Sequence, residues 1–226
     1  MNTRIDQHPR IVVVGTSCCG KTTFSRRLAE RLGRPHIELD ALHWGPNWTP
    51  NPDFASRVAE ATAADAWIVD GNYTMAKGLT WRRATALVWL NLAFPLVFWR
   101  SLARTCSRIA SGEAICNGNR ETVAKSFFHW DGIPWWVVRT FHSRRRELRD
   151  LLKQPDFSHL QLFEVHHPSA AEALLAATSK CAVQQPGPPE VPPPNISLVK
   201  IADQSADLYA PGTPDGPGAC RAAGGG

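Results

Sequence analysis

Ile11-Val12-Val13-Val14 is an unbroken aliphatic run without polar alternation. That is the pattern of a strand buried on both faces of a parallel sheet. Apolar runs of the same kind recur at residues 36–39, 67–69, 86–92 and 160–165. Between them the hydrophobic period lengthens to that of a helix, over residues 21–32, 52–64 and 95–109. The second of these opens with Asn51 as N-cap and Pro52 at the first helical position. Beyond them, residues 135–152 read as a long basic helix and 168–177 as a terminal one. Strand and helix alternate, which predicts an α/β fold: three α/β/α layers around a five-stranded parallel sheet. Gly112, Asn117, Gly118 and Asn119 break the helical pattern, so the stretch around residues 108–130 is expected to form a loop or lid inserted into that fold.

Composition divides the chain in two. Residues 182–226 hold nine of the 18 Pro and seven of the 16 Gly and none of the nine Trp, so they are expected to be a disordered tail behind a folded unit at residues 1–181. The folded unit is the basic part, with 23 Lys and Arg against 16 Asp and Glu. Such a surplus suits phosphate-bearing small ligands, nucleic acid or an anionic surface alike. Six Cys without a C-x-x-C, after a polar N-terminus, predict a reduced cytoplasmic protein. The most apolar stretch, residues 84–99, is interrupted by Asn91 and Pro95, and no membrane span is expected.

Directly after the first strand stands Gly15-Thr16-Ser17-Cys18-Cys19-Gly20-Lys21-Thr22, a complete G-x-x-x-x-G-K-[ST] between strand and helix. Its glycines let the backbone turn with N–H groups facing inward, and the next helix points its positive end at the same spot. In this pattern residues 15–20 cradle phosphates, Lys21 reaches the β/γ-phosphates, Thr22 offers a hydroxyl to Mg²⁺, and Thr23 continues the cradle into the helix. Cys18 and Cys19 have two readings: small residues tolerated in a tight loop, or thiols made redox-sensitive by Lys21 and the helix end.

In an open parallel sheet the ligand crevice lies beyond the carboxyl ends of the strands. The second strand runs out into Asp40-Ala41-Leu42-His43-Trp44, and the third into Asp70-Gly71-Asn72-Tyr73. Phosphoryl transfer needs a carboxylate to hold metal and a group to orient or deprotonate the acceptor. Asp70 suits the first task and Asp40 the second, with His43, Trp44, Asn72 and Tyr73 as candidates for the acceptor pocket. Charge on the transferred group must also be neutralised. Arg100, Arg104 and Arg108 share one helix face with no acid among them; Arg104 and Arg108, with Arg120 at the end of the Gly/Asn-rich loop, are the candidates. The run Arg144-Arg145-Arg146 reads as solvated surface.

Together the phosphate loop, residues 40–48, residues 67–73 and Asn117-Gly118-Asn119-Arg120-Glu121 resemble the adenylate-kinase-like P-loop proteins of the DNA topology modulation type, over residues 10–178. The resemblance implies a nucleoside-monophosphate-kinase-type core with a lid that binds ATP and magnesium. Asn72-Tyr73-Thr74 replaces the aromatic, Pro and Arg usual in nucleotide kinases, which weakens the case for a nucleoside monophosphate acceptor. Residues 40–43 are also similar to the matching segment of gluconate kinases, leaving room for a small hydroxylated acceptor. The expected function is an ATP-dependent phosphotransferase using Mg²⁺ and a small acceptor, monomeric or dimeric. The alternative is an ATP-binding regulator or NTPase acting on nucleic acid.

Overall fold

The computed structural model describes residues 4–111, 114–115, 119–120 and 133–178. The tail expected at 182–226 and most of the expected lid, Cys116 included, lie outside them. Five strands form one parallel sheet: β1 (Arg10–Gly15), β2 (His36–Glu38), β3 (Trp67–Asp70), β4 (Ala86–Leu90) and, last along the chain, β7 (Gln161–Val165). Their order is β2-β3-β1-β4-β7, with the phosphate-loop strand at the centre. The register sets Glu38 beside Asp70 and Gly15 beside Leu90, so the loop and the carboxylates leave the sheet at one end.

Helices close both faces. They are α1 (Lys21–Leu32), α2 (Leu39–His43), α3 (Phe54–Ala61), α4 (Thr74–Thr80), α5 (Phe94–Ser111), α6 (Ile133–Leu152) and α7 (Pro168–Ala176). A two-residue pair, β5 (Ala114–Ile115) with β6 (Asn119–Arg120), stands outside the main sheet. This is the three-layer α/β/α P-loop fold.

Alternate strand residues build two cores, as a sheet covered on both sides requires. Ile11, Val13 and Val88 meet Phe24 and Leu28 of α1, Val97 of α5, Val137 and Phe141 of α6 and Leu175 of α7. On the other face Val12, Val14, Val69 and Trp89 meet Phe54 and Val58 of α3, Ala76 of α4 and Leu148 and Leu151 of α6. Helix α6 thus serves one core with its first half and the other with its last turns. No helix among the described residues is long and apolar enough to cross a membrane.

The strands fall where the apolar runs place them, and α1, α5, α6 and α7 match to within two residues. Two short helices were not visible in the hydrophobic pattern. Leu39, expected to end β2, instead begins α2, and α4 follows Tyr73. Helix α3 starts at Phe54, not at Pro52. Asn51 does not cap it: its Oδ1 accepts from the Asp53 N–H at 3.0 Å and its Nδ2 donates to the Leu42 carbonyl at 3.3 Å, making an Asx turn that ties the loop to α2.

The sharp exit from β3 depends on Gly71. Its φ is +138°, and a Cβ there would stand 2.8 Å from Leu39 Cβ and 3.0 Å from its Cδ1. Leu39 is buried in the second core and has nowhere to retreat. Gly71→Ala is expected to destabilise the protein by about 1–3 kcal/mol, through backbone strain and overpacking. Urea unfolding of both forms measures this; an unchanged midpoint would mean that Leu39 yields without cost.

Candidate functional site

The phosphate loop closes over its own backbone. Gly15 leaves β1 with φ +152°, Cys18 takes φ +66° and Gly20 φ +98°. At Gly15 a Cβ would lie 2.7 Å from Cys19 Sγ and 2.8 Å from the Leu90 carbonyl oxygen, so only glycine fits. The Cys19 N–H donates to the Thr16 carbonyl at 3.2 Å, making a turn, and Phe24 N–H to Gly20 O at 3.0 Å begins α1. No side chain caps α1 and no acid lies in its first turn, so its positive end is presented to whatever occupies the loop. Lys21 Nζ donates to the carbonyls of Gly15 at 3.0 Å and Thr16 at 3.3 Å, which holds the ammonium across the loop mouth. Thr23 is exposed, whereas Cys19 is buried. Burial pushes both the Cys18 and Cys19 thiols up, and outweighs the pull of Arg104 and Lys21 on Cys18 and of Lys21 on Cys19. This favours small residues in a tight loop over the redox-sensitive reading.

Three carboxylates, Glu38, Asp40 and Asp70, gather at the ends of β2 and β3. Thr22 Oγ1 donates to Glu38 Oε1 at 3.4 Å. Burial raises the Glu38 pKa, and the nearby charges of Asp70 and Asp40 raise it further. Asp70 is 2 % exposed, and its Oδ2 lies 3.5 Å from His36 Nε2 without the geometry of a hydrogen bond. Such a cluster of hard oxygen donors, short of positive charge, suits a divalent cation. Among the described residues no three His, Cys, Asp or Glu side chains form a metal-binding group. The carboxylates thus make no metal cage of their own; the oxygens of Thr22, Glu38 and Asp70 would suit only an ion whose remaining donors are water and phosphate oxygens, as for Mg²⁺. Glu38 was not among the residues singled out from the sequence, although it ends β2 and faces Asp70 across the register.

Asp40 and Tyr73, 33 residues apart, meet: Tyr73 Oη donates to Asp40 Oδ1 at 2.7 Å. The Tyr73 ring lies 4.4 Å, centroid to centroid, from His43, whose other neighbours are Trp44 at 4.5 Å and Phe54 at 4.9 Å. Trp44 is 7 % exposed, its ring packed against His43 and Trp48, so it offers little open face to an acceptor.

Asn72 is turned towards the phosphate loop. Its Nδ2 donates to the Gly15 carbonyl at 2.6 Å and its Oδ1 accepts from the Gly15 N–H at 3.3 Å. The side-chain amide pairs with the loop's first peptide as a neighbouring strand would. On α5, Arg100 is bonded to the loop: its Nη1 donates to the Cys19 carbonyl at 3.2 Å. Arg104 and Arg108 lie near enough to Cys18 to pull on its thiol, and Arg104 Nε is buried without a hydrogen-bond partner. The side chain of Arg120 lies outside the described residues.

No protein-family model matches the chain, and no curated protein matches it. Among solved structures the fold is similar to shikimate kinase from Bacteroides thetaiotaomicron, at 13% identity and TM-score 0.46, over 75% of this chain and 95% of that one. A shikimate kinase from Acinetobacter baumannii in complex with shikimate matches at 18% identity and TM-score 0.41, over 76% and 91% of the two chains. A gluconokinase from Sinorhizobium meliloti 1021 matches at 20% identity and TM-score 0.41, over 77% and 94%. At such distances the matches concern the fold alone. The site rests on the strand order, the loop and the residues around it.

Asn72→Ala removes both bonds to Gly15, worth about 1–2 kcal/mol together. Hydrogen exchange in a peptide spanning the phosphate loop should then quicken by about tenfold, with little change in peptides from β4. Equal exchange in both proteins would show that the glycine turn is held without Asn72.

Proposed function

We propose that this chain is an ATP-dependent phosphotransferase that moves the γ-phosphoryl group of ATP, with Mg²⁺, onto the hydroxyl of a small acceptor. The observation that carries this reading is the arrangement at one end of the sheet. An uncapped helix N-terminus and Lys21 face the carboxylates of Glu38 and Asp70, and beside them Asp40 is held by Tyr73. The loop supplies backbone donors for phosphate oxygens, and Lys21 turns from the Gly15 and Thr16 carbonyls to meet them. Magnesium, when bound, neutralises phosphate charge. Thr22 would hold it directly, with Asp70 and Glu38 through water.

Asp40 takes the acceptor's hydroxyl proton as that oxygen attacks the γ-phosphorus and the bond to the β,γ-bridging oxygen breaks, releasing ADP. Tyr73 fixes which carboxylate oxygen stays free for this. Arg104 and Arg108 on α5, with Arg120 from the segment at 108–130, offset charge on the transferred group. Arg100 holds the loop from behind. The likeness of residues 40–48 and 67–73 to proteins of the DNA topology modulation type supports an adenylate-kinase-like assignment within P-loop kinases. In this reading residues 1–181 are the catalytic unit.

A coupled assay of ADP release, run with ATP and Mg²⁺ over a panel of nucleotides, nucleosides and sugar acids, tests the proposal. One acceptor should stimulate turnover well above the background of ATP alone. Lys21→Ala should abolish both turnover and the calorimetric signal of a nonhydrolysable ATP analogue. Asp40→Asn should keep the signal and lower kcat by about 10²–10⁴-fold. Normal turnover in Lys21→Ala, or no triphosphate binding by the folded wild type, would sink the reading.

A further inference from the structure

Strand β7 ends the main sheet, and among the described residues no strand stands beside its outer edge. The register with β4 says which of its peptide groups are left over. Gln161 N–H donates to the Thr85 carbonyl at 3.1 Å, and Asn91 N–H to the Val165 carbonyl at 2.8 Å. In a parallel ladder this commits residues 161, 163 and 165 to β4 and turns the N–H and C=O groups of Leu162 and Glu164 outward. Neither outward N–H meets an acceptor among the described residues, and the Leu162 carbonyl has the Gln161 side-chain amide at 3.5 Å.

The sheet is also incompletely covered at this edge. On the side of the second core Leu148, Leu151 and Leu152 of α6 pack over it, yet Leu162 stays 37 % exposed. Arg144 and Arg145 of the same helix are half-buried, whereas Arg146 is exposed, so the run at 144–146 is surface only at its end. A row of unspent peptide groups beside an exposed leucine is a template for another strand.

The chain itself carries a matching segment, outside the described residues. Of the seven Ile, Leu and Val residues at 182–226, four fall in Ile196-Ser197-Leu198-Val199-Lys200-Ile201, and no Gly or Pro interrupts residues 195–210. The fold limits the direction in which this segment can join. Helix α7 packs in the first core, as α1 does, and it ends at the amino end of the sheet, where Arg31 and Arg4 donate to the carbonyls of Leu175 and Ala177, each at 2.9 Å. A parallel strand outside β7 would make a crossover through α7 towards one edge, while β1–α1–β2 crosses through the same core towards the other. The two crossovers would have opposite hands, whereas parallel crossovers share one. An antiparallel strand escapes this rule, and an antiparallel edge on a parallel sheet is common. Residues 179–195, rich in Pro, reach about 50 Å when extended, against about 17 Å for the length of β7.

We propose that the segment 196–202 of this chain adds to β7 as a sixth, antiparallel strand of the main sheet. Charge sets its register. With Lys200 opposite Glu164 an ammonium meets a carboxylate, Ile201 falls beside Phe163, Val199 beside Val165 and Ala202 beside Leu162. Glu164 and Lys200 then exchange both of their peptide hydrogen bonds, and the outward Leu162 N–H meets the Ala202 carbonyl. Val165 belongs to the first core and Phe163 packs against it, so Val199 and Ile201 extend that core past β7. The inference stands apart from the phosphotransferase reading, and it gives one ordered strand to the stretch expected to be a disordered tail.

Amide hydrogen exchange followed by NMR on the full chain tests this. The Leu162 and Glu164 amides should exchange more slowly than free peptide by about tenfold or more, and an Hα–Hα cross-peak should join Phe163 to Ile201. K200P, which removes a ladder donor, and independently I201D, which puts a charge against the first core, should each speed exchange at Leu162 and Glu164 by about tenfold and remove the cross-peak. The Phe163 amide, bonded to β4, should stay slow in both. Q185P, a proline added to the linker, should leave all three amides as they are. Free exchange at Leu162 and Glu164 in the wild type overturns the proposal, as does unaltered protection in K200P and I201D. Protection without the Phe163–Ile201 cross-peak overturns the direction and register assigned. Protection that rises with protein concentration, survives K200P and accompanies a dimer in sedimentation identifies a second copy paired β7 to β7, and overturns the proposal as well.

Discussion

Everything at the carboxyl end of the sheet depends on how the chain leaves its central strand. Gly15 turns where a side chain would collide with Cys19 Sγ and the Leu90 carbonyl, so the first bend of the phosphate loop is packed against both the loop's own floor and the neighbouring strand. Packing alone would fix the position of the bend without fixing its hydrogen bonds. Asn72 supplies those, pairing with the Gly15 peptide from the far side. The loop is thus held between β4 on one side and the exit of β3 on the other. Its inward N–H groups stay aimed without a side-chain cap.

The exit of β3 binds several functions into four consecutive residues. Asp70 adds its carboxylate to the cation-seeking cluster, Gly71 makes the bend that Leu39 crowds, Asn72 pins the loop and Tyr73 holds Asp40. Each of these partners lies far away in sequence. Spacing within the segment therefore sets how far apart Glu38, the phosphate loop and Asp40 stand, the three parts of the proposed reaction.

The sequence carried some of this openly. A G-x-x-x-x-G-K-[ST] after a β-branched run states its own local geometry, and unbroken apolar runs separated by helical periods state a covered parallel sheet. What stayed hidden was hidden for physical reasons. Helices α2 and α4 are too short for a 3.6-residue period to show. Asn72 was read as facing a substrate, because a long-range amide pair with a backbone leaves no local signal. Glu38 looked like one polar residue at a strand end until the register set it beside Asp70. Arg100, Arg104 and Arg108 were indistinguishable by spacing, and only the placement of α5 brings Arg100 to the Cys19 carbonyl. A run of three arginines concealed a helix with an interior face.

The division of labour at this end of the sheet has a consequence for redesign. The β3 exit ties the phosphate loop, Leu39 and Asp40 so closely that an insertion or deletion there would shift them all at once. By contrast, α4 and α6 bring Lys77, Arg145 and Leu148 to a groove that meets the loop at Gly15 and Thr16. Substitutions at positions 77, 145 and 148 leave the β3 exit intact, and vary only the surface beside the loop. The hinge peptide at 70–73 is the stretch that tolerates no change of length, because four separate partners are set by it.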